Sequence, residues 1–259
     1  MKNPLAFSKP SEVERIAAFV KGIVSSAGAN VVVLGLSEGI DSAVVCSLCV
    51  RALGSDRVLG VLMPSDSTPK IDMADARAFA ADLRIRVKEV RVSGIVDTLI
   101  ASTDVKGTKL AVANVQARAR MMVLYFLANA RALLVAGTGD RSEIEVGFFT
   151  KYGDGGVDLL PIGHLYKTQV KELGRYLGVP DSIMRKPSSP RLWPGHTARD
   201  EIPVDYSRLD LVLHYLLDER RPPKSAARRA NVRMPSMERI MQMRGGTAHK
   251  RSLPPTVLG

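Results

Sequence analysis

An α/β fold, with a mostly parallel sheet covered by helices on both faces, follows from three features of the sequence. Short apolar runs alternate with longer stretches of helical periodicity, the pattern of a chain of βα units. The runs show no polar alternation, so their strands are read as buried on both faces. The first run opens directly onto a turn of small residues and then a helix. Ser11 to Ala27 sets Val13, Ile16, Ala17, Val20, Ile23 and Val24 on one stripe, with Ser11 as N-cap and Gly28 as stop. Val31-Val32-Val33-Leu34-Gly35-Leu36 is the first strand, and Arg57 to Met63, Ile85 to Val92 and Ala132 to Ala136 are three more. Helices are predicted at 40–53, 70–83 and 112–130. Lys186 to Pro203 reads as a long loop and candidate lid. Past Pro222 and Pro223 the chain is helical, then ends in Gly245-Gly246 and a proline-rich tail. No repeat of fixed period is visible.

The 259 residues are 46% hydrophobic and 24% charged, which excludes a disordered polymer and allows one sizeable core. No apolar run reaches the roughly 18 residues needed to cross a bilayer, and no signal core follows Lys2. Two cysteines make no disulfide framework, so a cytoplasmic protein without membrane attachment is expected. The net charge of +11 is local: from Arg220 to Arg251, ten Lys or Arg face one acid, Glu238, for a segment charge of +9. Three readings stand: a solvated basic face, a basic flap over a phosphate-rich small molecule, or a nucleic-acid surface. Nucleic acid is the least favoured, because few aromatics interleave the basic residues.

The first strand runs into Gly35-Leu36-Ser37-Glu38-Gly39-Ile40-Asp41-Ser42 and then the apolar helix up to Leu53. Such a turn presents backbone N–H groups and the positive helix end to a phosphate or pyrophosphate. Ser37 and Ser42 add hydroxyls, and Asp41 could hold a divalent cation. The plainer alternative is a βα turn in which Ser37 or Asp41 only caps the helix. The spacing is neither that of the Walker loop nor that of the dinucleotide fingerprint. It resembles the Ser-Gly-Gly-x-Asp-Ser loop of ATP pyrophosphatases, with Glu38 in place of a glycine. A carboxylate turned inward there would repel the phosphates.

Further motifs follow in order. Asn114-Val115-Gln116-Ala117-Arg118-Ala119-Arg120-Met121 precedes Gly137-Thr138-Gly139-Asp140-Arg141-Ser142-Glu143. Gly147 to Asp158, Leu165-Tyr166-Lys167-Thr168-Gln169-Val170 and His249-Lys250-Arg251 complete the series. Together with the turn, this order resembles NAD synthetase of the ammonia-dependent type, over nearly the whole chain. The resemblance implies one Rossmann-like domain over 1–259, of the adenine nucleotide alpha hydrolase-like class. The basic flap 220–259 lies within it, and no glutaminase domain is expected. It implies a homodimer with the acid substrate near the subunit interface, and ATP-dependent amidation of deamido-NAD by ammonia with magnesium as the cofactor. By the same resemblance, Gly35, Leu36, Ser37, Glu38, Gly39, Ile40, Asp41 and Ser42 bind ATP phosphates, with Thr138, Lys167 and Ser189. Asp41 and Glu143 hold the metal, and Asp41 and Lys167 are catalytic, Lys167 as a point charge for phosphate. Arg118, Lys151, Asp158, His249 and Lys250 contact deamido-NAD. Read singly, Arg118, Arg120, Glu143 and Asp158 could each be ordinary surface or turn residues.

The lid departs from the family's Gly-Gln-Thr and acidic pair, reading Gly195-His196-Thr197-Ala198-Arg199-Asp200-Glu201 after Leu192-Trp193. Altered recruitment of ammonia is the expectation, unless Asp200-Glu201 takes the acids' place. Cys46 and Cys49 are read as packing residues, as are Met234, Met237, Met241 and Met243, and His164, His196 and His214 are too scattered for a site. Competing functions are amide ligation on another carboxylic acid, nucleotide binding without turnover, and pyrophosphatase chemistry on tRNA.

Overall fold

A computed structural model describes residues 3–66, 68–187, 189, 193, 195 and 197–257. Helix α1 (Lys9–Ser26) starts ahead of expectation: Pro10 suits a first turn, where its missing N–H costs nothing, so Ser8 rather than Ser11 is the N-cap residue. Next come β1 (Val32–Gly35), α2 (Ile40–Leu53), β2 (Val58–Leu62), α3 (Lys70–Asp82) and β3 (Arg86–Glu89). Helix α4 (Ser93–Thr103) was not foreseen, because its β-branched residues and Gly94 mask a stripe of which only Val96 is buried. Helix α5 (Lys109–Arg131) begins at a Thr108 cap, whose Oγ1 accepts from Ala111 N at 3.2 Å. Then follow β4 (Leu134–Val135), α6 (Arg141–Val146), α7 (Lys167–Tyr176), α8 (Asp181–Met184), α9 (Tyr206–Leu213), α10 (Pro223–Arg229) and α11 (Met234–Gly246).

The strands pair in parallel in the order β3-β2-β1-β4, with Val33 opposite both Leu59 and Val135. Their pleat feeds two cores. Val32 and Leu34 pack with α1 and α2, while Val33, Leu59, Val61 and Val135 pack on Leu124, Leu127 and Ala128 of α5. Each such side chain, fully buried, contributes about 1.5–3 kcal/mol. A third core joins α9, α10 and α11 through Leu209, Leu213, Ala226, Met237 and Ile240. Two strands differ from expectation. β3 is an exposed edge whose Arg86, Lys88 and Glu89 discourage pairing with another sheet. β4 is short because Ala132 ends α5 in the left-handed region, at φ 52°.

Among the described residues, no helix is long and apolar enough to cross a membrane. From β1 the sheet extends one way through β2 and β3 and the other way to β4. The crevice beyond the carboxyl ends of β1 and β4 is therefore a topological switch point, where open α/β sheets receive ligands.

Candidate active site

A cleft of about 470 Å³ occupies that crevice, walled by the turn after β1, the segment after β4, α5, and Gly147 to Val157. The turn is organised by Ser42 Oγ, which accepts from Ser37 N at 3.2 Å and lies 2.9 Å from the Gly39 carbonyl. Ser37 Oγ lies 3.0 Å from Ser42 Oγ and accepts from Gly39 N. Gly39 is the N-cap of α2, and neither Ser37 nor Asp41 caps the helix with its side chain. Leu36 and Ile40 bury their side chains in the core and leave only backbone to the turn. A β-carbon on Gly35 would stand 3.1 Å from Met63 Cε, so the strand end has little room for a larger residue.

Behind the turn lies the strongest electrostatic feature of the molecule. Lys167 is wholly buried, and its Nζ stands 2.7 Å from Asp41 Oδ2, 2.8 Å from Asp140 Oδ2 and 2.9 Å from Glu143 Oε1. Lys167, expected as a point charge for phosphate, is the shared counter-charge of three carboxylates and stands behind the residues that line the cleft. Burial pulls its pKa down, but Asp140, Asp41 and Glu143 outweigh burial and hold it well above the ordinary lysine value. Burial pushes Asp140 up to about 6, and burial together with the charge of Asp140 raises Glu143. The Tyr206 hydroxyl reaches Glu143 Oε1 at 3.5 Å, and burial raises its pKa too.

A polar frame holds this cluster. Asp140 caps α6 by accepting from Glu143 N at 2.9 Å. Buried Asp210 accepts from Ser142 Oγ at 2.6 Å and Thr168 N at 2.8 Å, and Ser142 Oγ accepts from Lys167 N at 2.9 Å. Asp218 is gripped by Arg141, the Tyr166 hydroxyl and His214. The sequence reading missed Asp140, Asp210 and Asp218. An Asp just before a helical run is a cap signal that marks Asp140, whereas nothing local marks the other two.

The residue types fit a divalent cation. Asp41, Asp140 and Glu143 offer carboxylate oxygens within 4.8 Å of one another. Three carboxylates exceed one ammonium, and buried Asp41 Oδ1 has no hydrogen-bond partner.

Of the turn residues, all but Ile40 line the cleft, as do Thr138, Glu143, Ser189 and Lys250. Arg118, Lys151, Asp158 and His249 lie outside it. Arg118 Nε donates to the Lys151 carbonyl at 3.3 Å, and Lys151 Nζ to the His249 carbonyl at 2.6 Å. Lys250 Nζ donates to the carbonyls of Gly147 (2.7 Å) and Phe149 (2.6 Å). These four residues thus form one strip from α5 to the C-terminal segment. Asp158 stands apart, accepting from the Tyr125 hydroxyl at 2.9 Å and Val135 N at 2.7 Å.

The expected basic flap is divided by the structure. Of the ten basic residues only Lys250 lines the cleft, since α10 and α11 pack into the third core and leave Arg220, Lys224, Arg228, Arg229, Arg233 and Arg239 exposed. Arg251 holds the carbonyls of Ile144 and Glu145 at the end of α6. Gly147, at φ +70°, faces Thr247 so closely that a β-carbon would fall 2.2 Å from Thr247 Oγ1. Ala198 and Ile202 are buried in the third core, Asp200 Oδ2 accepts from Thr197 N at 2.7 Å, and Glu201 is the acid that lines the cleft. Leu192 and His196 lie outside the described residues. Cys46 and Cys49 are buried on α2, where burial pushes the Cys46 thiol up to about 12. His164 pairs with Glu12, and Met237 is fully buried.

Comparison with known proteins follows the same line. The family model described as NAD synthase matches residues 12–254. The NH3-dependent NAD+ synthetase of Hyperthermus butylicus is 48% identical over 241 residues, 93% of this chain and 87% of that protein. The NMN synthetase of Francisella tularensis superposes with a TM-score of 0.86 at 35% identity, covering 97% of this chain and 99% of that one. The NH3-dependent NAD synthetase of Campylobacter jejuni, solved with nitrate, gives 0.83 at 28% identity, covering 98% and 100%.

Proposed function

We infer the chemistry of the cleft from one premise: this chain belongs to the NAD synthase family. It is a ligase that amidates deamido-NAD with ammonia at the expense of ATP, giving NAD, AMP and pyrophosphate. The observation that carries the reading is the small-residue turn leading to Asp41, which lines the cleft and whose carboxylate also belongs to the cluster around Lys167. A free carboxylate is a poor acyl donor. The nicotinate oxygen therefore attacks the α phosphorus, the bond to the β phosphate breaks, and pyrophosphate leaves. Ammonia then attacks the acyl carbon, expels AMP and gives up a proton.

Ser37, Ser42 and the backbone of Gly35 to Gly39 would cradle the phosphates, exchanging their internal hydrogen bonds for phosphate oxygens. Thr138 and Ser189 face the same cleft and would contact the nucleotide. Magnesium would be held by Asp41 and Glu143, with Asp140 beside them, and would neutralise charge building on the phosphate oxygens. Lys167 keeps these carboxylates convergent.

Arg118, Lys151, His249 and Lys250 would take the acid substrate along their strip, and Asp158 would contact it from its separate place beside β4. The strip borders a face of α4 and α5 on which Ile95, Met122 and Phe126 are exposed, Phe126 by 73%. A second copy of the chain on that face would make the expected homodimer and bring the substrate near the interface. Phe126→Glu should then yield a monomer by light scattering, with a raised KM for the acid and unchanged ATP affinity. The reaction belongs in the cytoplasm, where the two free thiols stay reduced.

A second reading keeps the chemistry and changes the acid, and the likeness to an NMN synthetase favours it. One experiment tests both. Protein, magnesium, ATP and ammonium are incubated with deamido-NAD or nicotinate mononucleotide, and NAD, NMN, AMP and pyrophosphate are quantified. NAD equal to AMP supports the first reading, NMN equal to AMP supports the second, and no AMP with either acid defeats both.

A further inference from the structure

Glu38 and Arg120 line the same cleft, Glu38 in the turn before α2 and Arg120 on α5. Arg120 Nε donates to the Met63 carbonyl at 3.2 Å, just past β2. Met63 in turn packs against Gly35, where the turn begins. The guanidinium is thereby fixed beside the turn through Nε. Burial lowers its pKa, and Glu38 is the first carboxylate to oppose that, ahead of Asp154. An acid in this place would repel incoming phosphate oxygens unless a cation shares its field.

We propose that Arg120 is a positioning residue for the nucleotide, cancelling the charge of Glu38 so that phosphates can enter the turn. This rests on the reading that the turn receives ATP. It also accounts for a carboxylate in a phosphate turn without calling the turn defective.

The test is calorimetric titration of ATP with magnesium, without acid substrate, into wild type, Glu38→Gln, Arg120→Met and the double variant. Arg120→Met should weaken ATP binding by about tenfold, and Glu38→Gln should tighten it about threefold. In the Glu38→Gln background the Arg120→Met loss should shrink to about threefold or less. An equal loss in both backgrounds would overturn the proposal, because Arg120 would then act on phosphate or on the fold alone. Should Arg120→Met not fold, Glu38→Gln decides by itself: tighter ATP supports the pairing and unchanged ATP overturns it. A wild type that binds no ATP would remove the nucleotide reading itself, and the proposal with it.

Discussion

The two ends of the cleft hold their cations in opposite ways. At the Lys167 end one fully buried ammonium faces three carboxylates, leaving an excess of negative charge. At the other end Arg120 and Lys250 are fixed by backbone carbonyls of Met63, Gly147 and Phe149, and their acidic neighbours Glu38, Asp154 and Glu201 act at longer range. Burial lowers the pKa of both these cations, whereas the carboxylates around Lys167 raise its own. A buried cation given to carboxylates is spent on structure. A half-buried one tied to carbonyls keeps its charge for a ligand. The first end thus suits a divalent metal, and the second suits polyphosphate.

The contrast should be most visible in Lys167→Met. Leaving buried Asp140 and the partly buried Asp41 and Glu143 without their counter-charge costs about 3–5 kcal/mol, a fall in thermal midpoint on the order of 10 °C by calorimetry, with NAD formation lost. Asp41→Asn should cut kcat by about a hundredfold or more while the chain still folds, as circular dichroism and product assays would show. Lys250→Met, at the opposite end, should raise the KM for the acid by about tenfold and shift the midpoint by a few degrees at most.

The smallest effect is a dependence on pH. Asp140 keeps its proton in the folded chain up to about 6, whereas the unfolded group loses it near the ordinary aspartate value of 3.8. Its stabilising contribution is therefore complete below about 4 and is lost as pH rises through about 6. Asp140→Asn removes that slope, so urea titrations should show the variant gaining on wild type between pH 4.5 and 6.5. A constant gap would mean that Asp140 is already ionised at the lower pH.

How much of this the sequence disclosed depends on the range of the interaction. The turn after β1, the bounds of α2 and the convergence of Asp41 with Glu143 were legible, because strand, turn and helix start are adjacent or carried by recognisable motifs. The burial of Lys167 was not, since it depends on α6 and α2 meeting α7 across 126 positions of chain. Asp210 and Asp218 were hidden for the same reason, each a lone acid whose partners are remote. Glu38 looked like a flaw until Arg120, on another helix, was seen to share its cleft. The basic segment misled in the other direction: counting charge revealed its sign but not that α10 and α11 would spend their apolar faces on a separate core.

The close seating of Thr247 on Gly147 makes the last stretch of chain a keystone of the catalytic wall. A protease nick ahead of Thr247 would take away the brace and the Lys250 clasp together. The damage would surface as a leaky reaction chamber long before the sheet itself felt the loss.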